Sequence, residues 1–573
     1  MSKDKYSFIL FGMALILTIQ FLILTGCQDK NNGIDSPDSE DIFPGKGASV
    51  PFLSYQSQNA IYQGQLLEFS TEYNKVQSEA SGRMAVKLQD NGNYVKFTLR
   101  QSANAMVLRY SMPDSENGGG IDGSLAVYAN DVFIGTISLT SKFAWIYNLA
   151  RGWPGNNDPS TGPPCRFFDD SRMLFDNTFP AGTEITLKKN DDVEYYIIDM
   201  AEFELVGAPL TQPENSLSIT DFGAVPDGSD SRMALMDCIR EAKAQGKQVW
   251  IPAGNFTIGD SFSITVNSVT VTGAGMWHST FTGGAYFMVN GNNNHFSDFA
   301  MLGDVTVRVD AMKNCGFEAR AGNNNRFENL WIEHFKCGFW VNGANGMVIK
   351  NCRIRNVFAD GINITFQTQN SIIENCDLRN LGDDAIAVNS ELNRDSYNNT
   401  VKNNTVRVPY HANGLAVYGG GNNTIQDNLV FDTVAYGAGI NISSRFNPAD
   451  YHGTTTVKGN VLVRTGSSAS NSERGTNHGA IWLVAWEKNV SGLTFTDNRL
   501  INSVCDAITI DGNGTSELIN IEFNKNSIET AQGYGINVYN GAAGSAAFKN
   551  TKITGALSGA LNNPGSFTVK GIK

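Results

Sequence analysis

The chain has 573 residues, 41% of them hydrophobic, with a formal net charge of -13 and a pI near 5.0. That length supports two or three domains with real cores, and the acidity excludes a nucleic-acid partner while weighing less strongly against a polyanionic glycan. The 58 glycines and many asparagines suit tight turns between short strands, and no cofactor fingerprint is present.

Lys3 and Lys5 precede an apolar run from Phe8 to Leu24 that ends in Leu24-Thr25-Gly26-Cys27. The segment resembles a bacterial lipoprotein signal with Cys27 as the lipidated residue; an ordinary transmembrane anchor is the competing reading, which the small residues before Cys27 disfavour. Residues 28–48, rich in Asp, Asn, Ser, Gly and Pro, read as a solvated tether. Gln28-Asp29-Lys30 resembles lipoproteins of the Bacteroides type, which implies the outer membrane or its outer face, with the membrane met through the lipid anchor alone. Of the other seven cysteines, Cys352 and Cys376 repeat the pattern Asn-Cys-x-apolar and predict an inward thiol stack, favoured over a disulfide or metal site. No zinc spacing appears.

Residues 49–210 carry alternating runs such as Tyr94–Leu99, Met106–Tyr110, Leu125–Tyr128 and Val132–Ile137, separated by Gly/Asn/Asp turns. They predict an antiparallel β-sandwich, and their succession resembles the jelly-roll modules that precede β-helix glucanases. A structural role is preferred to glycan binding, because no aromatic platform stands out.

From residue 211 onward the texture changes. Ile219-Thr-Asp-Phe-Gly-Ala-Val-Pro-Asp-Gly leads into a helix expected over 231–245, capped by Asp230 or Ser229, with Met233, Met236 and Ile239 at helical spacing. Such a helix covers the open end of a stack of coils. This opening resembles the start of pectin-lyase-like β-helices. Asn-led turns then recur at Asn351, Asn375, Asn403, Asp427, Gly459, Asp497 and Lys525, mostly at intervals in the twenties, the period of a solenoid. Between them lies a second strand, a small residue followed by apolar-x-apolar, as in Gly361-Ile-Asn-Ile and Ala385-Ile-Ala-Val. The fold class is therefore all-β: an N-terminal jelly-roll sandwich over 49–210, then a right-handed parallel β-helix over 211–573.

Aligning these strands gives a column just before the small residue: Cys337, Asp360, Asp384, Asn413, Ala438, His478, Asp506 and Tyr534. Coils about 4.8 Å apart bring Asp360 and Asp384 to roughly 5 Å, with Asp383 beside them. Trp340 and Trp482 are expected on an exposed column further along the same strands. Asp-Gly is common in β-helix turns, and a lone copy would be structural. Paired acids in register with another one coil away point to catalysis. Acids flanked by aromatics suit a sugar chain, with Trp340, Asn363, His411, Asn413, His478, Trp482 and Asp506 as candidate substrate-binding residues.

The Asp-Gly, then Gly-Asp-Asp-Ala-Ile-Ala-Val, spacing and the fused sandwich resemble glycoside hydrolase family 87, the α-1,3-glucanases and mycodextranases, over nearly the whole chain from 50 to 573. The acids are shared with polygalacturonases, but Asn413 stands where their Gly-His-Gly histidine would fall and no Arg-Ile-Lys motif is evident, so a neutral glucan is preferred. The resemblance implies an inverting hydrolase in which Asp383 is the general acid and Asp360 and Asp384 orient and deprotonate water. A separation of about 5 Å would by itself suggest a retaining enzyme. A polygalacturonase-like hydrolase, a polysaccharide lyase, which would want a basic residue absent from the column, and a non-catalytic glycan-binding lipoprotein are the alternatives. No cofactor or metal is required by this reading; a structural calcium is compatible with it but no ligand motif marks one. A monomer is expected.

Overall fold

The computed structural model describes residues 42–149, 155–260, 262–468, 470 and 475–572. The signal segment with Cys27, and residues 28–41 of the expected tether, lie outside the described residues. Among those described, no helix is long and apolar enough to cross a membrane.

Strands between Phe52 and Glu204 form two main antiparallel sheets, of six and five strands, with a two-stranded pairing of Ile146–Tyr147 and Pro164–Cys165 beside them. Their inner faces alternate as the sequence does: Val95 and Phe97 point in while Tyr94, Lys96 and Thr98 do not. Leu125, Val127, Ile185, Leu187, Met106 and Leu108 close the shared core. This is the expected sandwich.

From Ser216–Ser218 onward every pairing in the two large sheets is parallel. A 24-stranded sheet carries two short strands of most coils, and a 12-stranded sheet carries the third. Seven strands of the second sheet concern the site: β1 (Phe339–Asn345), β2 (Ile362–Thr365), β3 (Ile386–Asn389), β4 (Leu415–Tyr418), β5 (Ile440–Ser443), β6 (Ile481–Ala485) and β7 (Ile508–Gly512). Ile362, Ile386, Leu415, Ile440, Ile481 and Ile508 stack directly on one another inside the solenoid. The small residue before each is required by backbone proximity: a Cβ on Gly361 would lie 2.5 Å from the Ala385 carbonyl oxygen.

The Asn-led turns have a physical origin. Asn351, Asn375, Asn403, Asp427, Asp497 and Lys525 all sit at positive φ, which Asn and Asp tolerate best among residues with side chains. The following residue points inward, where Asn404, Asn428, Asn460, Asn498 and Asn526 form a buried ladder with Nδ2 to Oδ1 distances of 2.9–3.0 Å. Cys376 and Cys352 occupy the same inward place one and two coils earlier, as free, buried thiols. All seven cysteines among the described residues are free.

The helix α1 (Arg232–Gln245) closes the first coil, with Asp230 accepting from the Arg232 N–H at 2.9 Å. Its buried stripe is Leu235, Cys238, Ile239 and Ala242 rather than the methionine series; Met233 is 57% exposed. The tether also ends earlier than expected. Phe43 is buried against Leu429, Phe431 and Val463 of the solenoid, and the Ala48 N–H donates to Thr405 Oγ1 at 2.9 Å. An aromatic side chain over an apolar patch docks residues 42–48 despite their polar composition.

The sandwich meets the solenoid through buried ion pairs. Arg379 binds Glu202 and Asp170, and Arg355 binds Glu202 and Asp377, with both guanidinium groups fully buried. Glu202 receives both guanidinium groups and each guanidinium meets two carboxylates, which is the condition for tolerating these charges away from water.

Candidate active site

Asp360 lies two positions before the start of β2, and Asp384 two before that of β3; Gly361 donates to the Asp384 carbonyl at 3.1 Å. Neighbouring coils in register therefore deliver the two side chains to one place, and Asp383 joins them from the same turn. One carboxylate oxygen from each of Asp360, Asp383 and Asp384 lies within 4.8 Å of the others.

Their surroundings differ. Asp384 is buried, and its Oδ1 accepts from the Asn413 backbone N–H at 3.1 Å and from Asn413 Nδ2 at 2.7 Å, while Oδ2 accepts from the Tyr418 hydroxyl at 2.7 Å. Burial and then the charge of Asp383 push Asp384 up to about 7, against the opposing pull of those three donors. Asp360 is buried and raised well above the usual carboxylate range, by desolvation first, then by Asp383, Cys337 and Asp384, with Arg308 opposing. Asp383 is the most open of the three, with a quarter of its side chain exposed. Its Oδ2 accepts from Arg308 Nη1 at 2.7 Å, and its Oδ1 accepts from the Asp384 N–H at 3.0 Å. Arg308 is anchored in turn by Nε on Asp310 Oδ1 at 2.6 Å.

Among the described residues this trio is the one group of His, Cys, Asp or Glu side chains close enough to bracket a cation. The positive charge it meets in the structure is Arg308. Burial and mutual repulsion push Asp360 and Asp384 upward, the direction that general acid chemistry near neutral pH requires.

The other expected residues are placed as follows. Asn413 joins the trio. Asn363 and Trp340 lie on the outward face of β2 and β1, adjacent in register; the Asn363 Oδ1 is buried without a hydrogen-bond partner, and Trp340 is half-buried against Cys315, Cys337 and Ala359. Trp482, expected to be exposed, is fully buried. It stacks on His478 at 3.7 Å between ring centroids, under Trp486 and Val484. His478 is not in the acid column: Ile481 aligns with Ile508, so Gly479, the residue directly before the small Ala480, is level with Asp506 and His478 lies one position further back. Asp506 is buried, and its carboxylate is taken up by Asn477, Asn537 and the Tyr534 N–H at 2.7–2.9 Å. His411 packs against Tyr436. Burial first, then the charge of Arg308 for His411 and of Arg445 for His478, lowers both imidazoles to about 3, so they are neutral across the working range of a carboxylate enzyme.

Two residues at the trio escape the sequence reading. Tyr418 ends β4 on the outward face, level with Asn389 of β3 and Ser443 of β5; carrying the strand alignment to its end would have found it. Arg308 lies on the irregular connection between the strands His295–Leu302 and Phe317–Asn323, 75 residues from Asp383 and outside every repeat. No pattern in the sequence marks it.

Two family models match the chain: the α-1,3-glucanase catalytic domain D1 over residues 49–206 and the α-1,3-glucanase catalytic domain D2 over residues 228–572. Among solved structures, the Agl-KA catalytic domain superposes with a TM-score of 0.86 at 31% identity, covering 92% of this chain and 99% of its own. The catalytic unit of a thermostable α-1,3-glucanase of glycoside hydrolase family 87 from Streptomyces thermodiastaticus gives 0.83 at 32% identity, covering 92% and 96%. A family 87 α-1,3-glucanase catalytic domain in complex with nigerose gives 0.82 at 27% identity, covering 92% and 99%. Such domains were also solved with sugars as Asp-to-Ala variants at three positions whose separations, 23 and 1, equal those of Asp360, Asp383 and Asp384. No curated protein matches.

Proposed function

The chain belongs to the α-1,3-glucanases of glycoside hydrolase family 87, and on that premise we propose that it hydrolyses α-1,3-linked glucan, or mixed α-1,3/α-1,4-glucan, with Asp360, Asp383 and Asp384 as its catalytic groups. The convergence of these carboxylates, one oxygen of each within 4.8 Å of the others, carries the reading. Asp383, the open member, protonates the leaving glycosidic oxygen. Asp360 and Asp384, side by side on adjacent coils, accept the two hydrogens of one water, and Asp360 takes its proton as the water attacks the anomeric carbon from the opposite face. Asn413 and Tyr418 hold Asp384 in place for that task. A single displacement inverts the anomeric centre; the carboxyl spacing is nearer that of retaining enzymes, so inversion rests on the family likeness.

A lyase would need a base to remove a proton beside a carboxylate. Arg308 supplies a basic residue that the acid column lacks, but it is clamped between Asp383 and Asp310 and holds its own proton more tightly than a free arginine, which disfavours that role. The test is product analysis on α-1,3-glucan, dextran, mixed α-glucan and polygalacturonate, with the anomer followed by NMR. Release from α-1,3-linked substrate with β-anomeric product is expected, and Asp383→Asn should lower it by about 10³-fold, the middle of the range for a general acid. Full activity in that variant would remove the assigned acid.

We further propose export as a lipoprotein attached at Cys27, on the strength of the sequence of residues 1–27. Cys27→Ser should abolish fatty-acid labelling and release the enzyme from the membrane fraction.

A further inference from the structure

The strands β2, β3, β4 and β5 are each followed closely by a pair of residues in the left-handed region: Phe366-Gln367, Leu392-Asn393, Gly419-Gly420 and Phe446-Asn447, with φ between 48° and 76°. Glycine and asparagine suit that conformation; a bulky apolar residue does not. Phe446 is nevertheless 49% exposed and Leu392 58% exposed, so burial does not account for either. Apolar side chains held out to solvent on strained backbone gather where a ligand is bound.

We propose that Phe446, with Leu392 beside it, is an apolar platform on which the glucan chain lies as it runs out from the trio, and that Glu487 is the positioning residue of that platform. The inference rests on the glucan substrate of the proposed function. Each glucose unit turns a face of C–H groups to one side, and an exposed ring takes that face out of water.

The platform is continuous with the trio. The Phe446 ring meets that of Tyr418 with 5.2 Å between centroids and 73° between planes, and the Tyr418 hydroxyl donates to Asp384 Oδ2 at 2.7 Å. The strand β5 lies two coils beyond β3, about 10 Å at the spacing of paired strands and so about two sugar units along a chain. The turn itself is held from two sides. Glu487, from the coil of β6, accepts from the Phe446 N–H at 3.0 Å and from the Asn447 N–H at 2.6 Å, one with each oxygen. The Asn447 carbonyl accepts from the Asn393 N–H at 2.8 Å, which ties the Phe446 turn to the Leu392 turn across the coil between them. That coil carries Gly419, where a Cβ would lie 2.4 Å from the Ala449 carbonyl oxygen. The Arg445 guanidinium lies 4.8 Å from the Phe446 ring centroid and also over Trp482 and Trp486. It backs the ring, and the half of the side chain left in solvent is what a sugar can cover.

Binding and cleavage are measured separately, so that failure of the platform is distinguishable from failure of the glucanase reading. Calorimetric titration with an α-1,3-linked hexasaccharide is expected to show about tenfold weaker binding to Asp383→Asn/Phe446→Gly than to Asp383→Asn, the size of one partly buried aromatic contact. Phe446→Trp in the same background retains the affinity. With Asp383 in place, Phe446→Gly raises KM by a similar factor and kcat changes little, because the platform grips ground state and transition state alike. Glycine adopts a φ of 69° freely, so the melting temperature of this variant stays near that of the wild type. Glu487→Gln also raises KM, and adds nothing further in the double variant with Phe446→Gly, since it acts through that turn. Equal affinity with and without the ring, no binding at all, or a weakening that follows loss of folded protein overturns the platform, and an additive double variant overturns the role of Glu487. A wild-type enzyme that binds the hexasaccharide and releases nothing from it would instead remove the proposed hydrolysis and leave the platform standing.

Discussion

The Tyr418 hydroxyl and Asn413 spend their donors on Asp384, and hydrogen bonds to a carboxylate favour its charged form. Tyr418→Phe therefore raises Asp384 further and moves the acidic limb of the pH–rate profile upward, with a fall in kcat of about tenfold, the worth of one hydrogen bond to a charged group; kinetics between pH 4 and 8 read both. Asp360 and Asp384 also bear on stability. Each binds its proton more tightly folded than unfolded, so the fold gains least from them once pH rises above the unfolded carboxyl range, and stability falls as pH climbs from about 4 toward the folded value, about 7 for Asp384. Asp360→Asn should be inactive and yet melt higher than wild type at pH 7.5, with the difference vanishing near pH 4. At this scale the acids were legible because a repeat converts sequence spacing into contact. Arg308 was not, since its connection obeys no period, and His478 was placed in the column although Gly479 is the residue that directly precedes the small Ala480.

At the scale of the strand and turn, the inward column of Asn404 to Asn526 does work usually left to apolar packing. Asn428 Nδ2 donates to the Val401 carbonyl and to Asn460, and its Oδ1 accepts from both the N–H and the side chain of Asn404. Asn428→Ala removes all of these and strands buried partners above and below, so it should cost about 2–4 kcal/mol, seen as a lower denaturant midpoint with the product profile unchanged. The Asn-led turns told the sequence reader where coils begin, because φ near +55° and an inward amide are both written in residue type. Burial of Trp482 was less readable. Alternation says which face a side chain takes, but not whether later loops cover that face, and here Trp486 and His478 do.

Across the whole molecule, Glu202 connects the sandwich to the solenoid by serving Arg355 and Arg379 together. Burial alone would raise its carboxyl, yet the arginines hold it down at about 2. Its folded pKa lies below the unfolded value, so its contribution is complete above about pH 4.5 and is lost as pH falls from there toward 2. Glu202→Ala leaves two guanidinium groups buried without it and should cost about 3–5 kcal/mol, and calorimetry should then resolve two unfolding events where the wild type shows one. The two architectures themselves were legible from alternation and repeat. The seam between them was not, because its partners lie about 150 to 210 residues apart and no local pattern pairs them.

A catalytic centre built from successive rungs is also a ruler. Lengthening the protein by a full rung beyond β7 adds wall without disturbing the acids, whereas the same insertion between Asp360 and Asp384 would drive them about 4.8 Å further apart and leave neither able to share a water. Descendants of this gene can thus grow or shed rungs at the far end, while the pair at its middle has to be inherited as a single indivisible block.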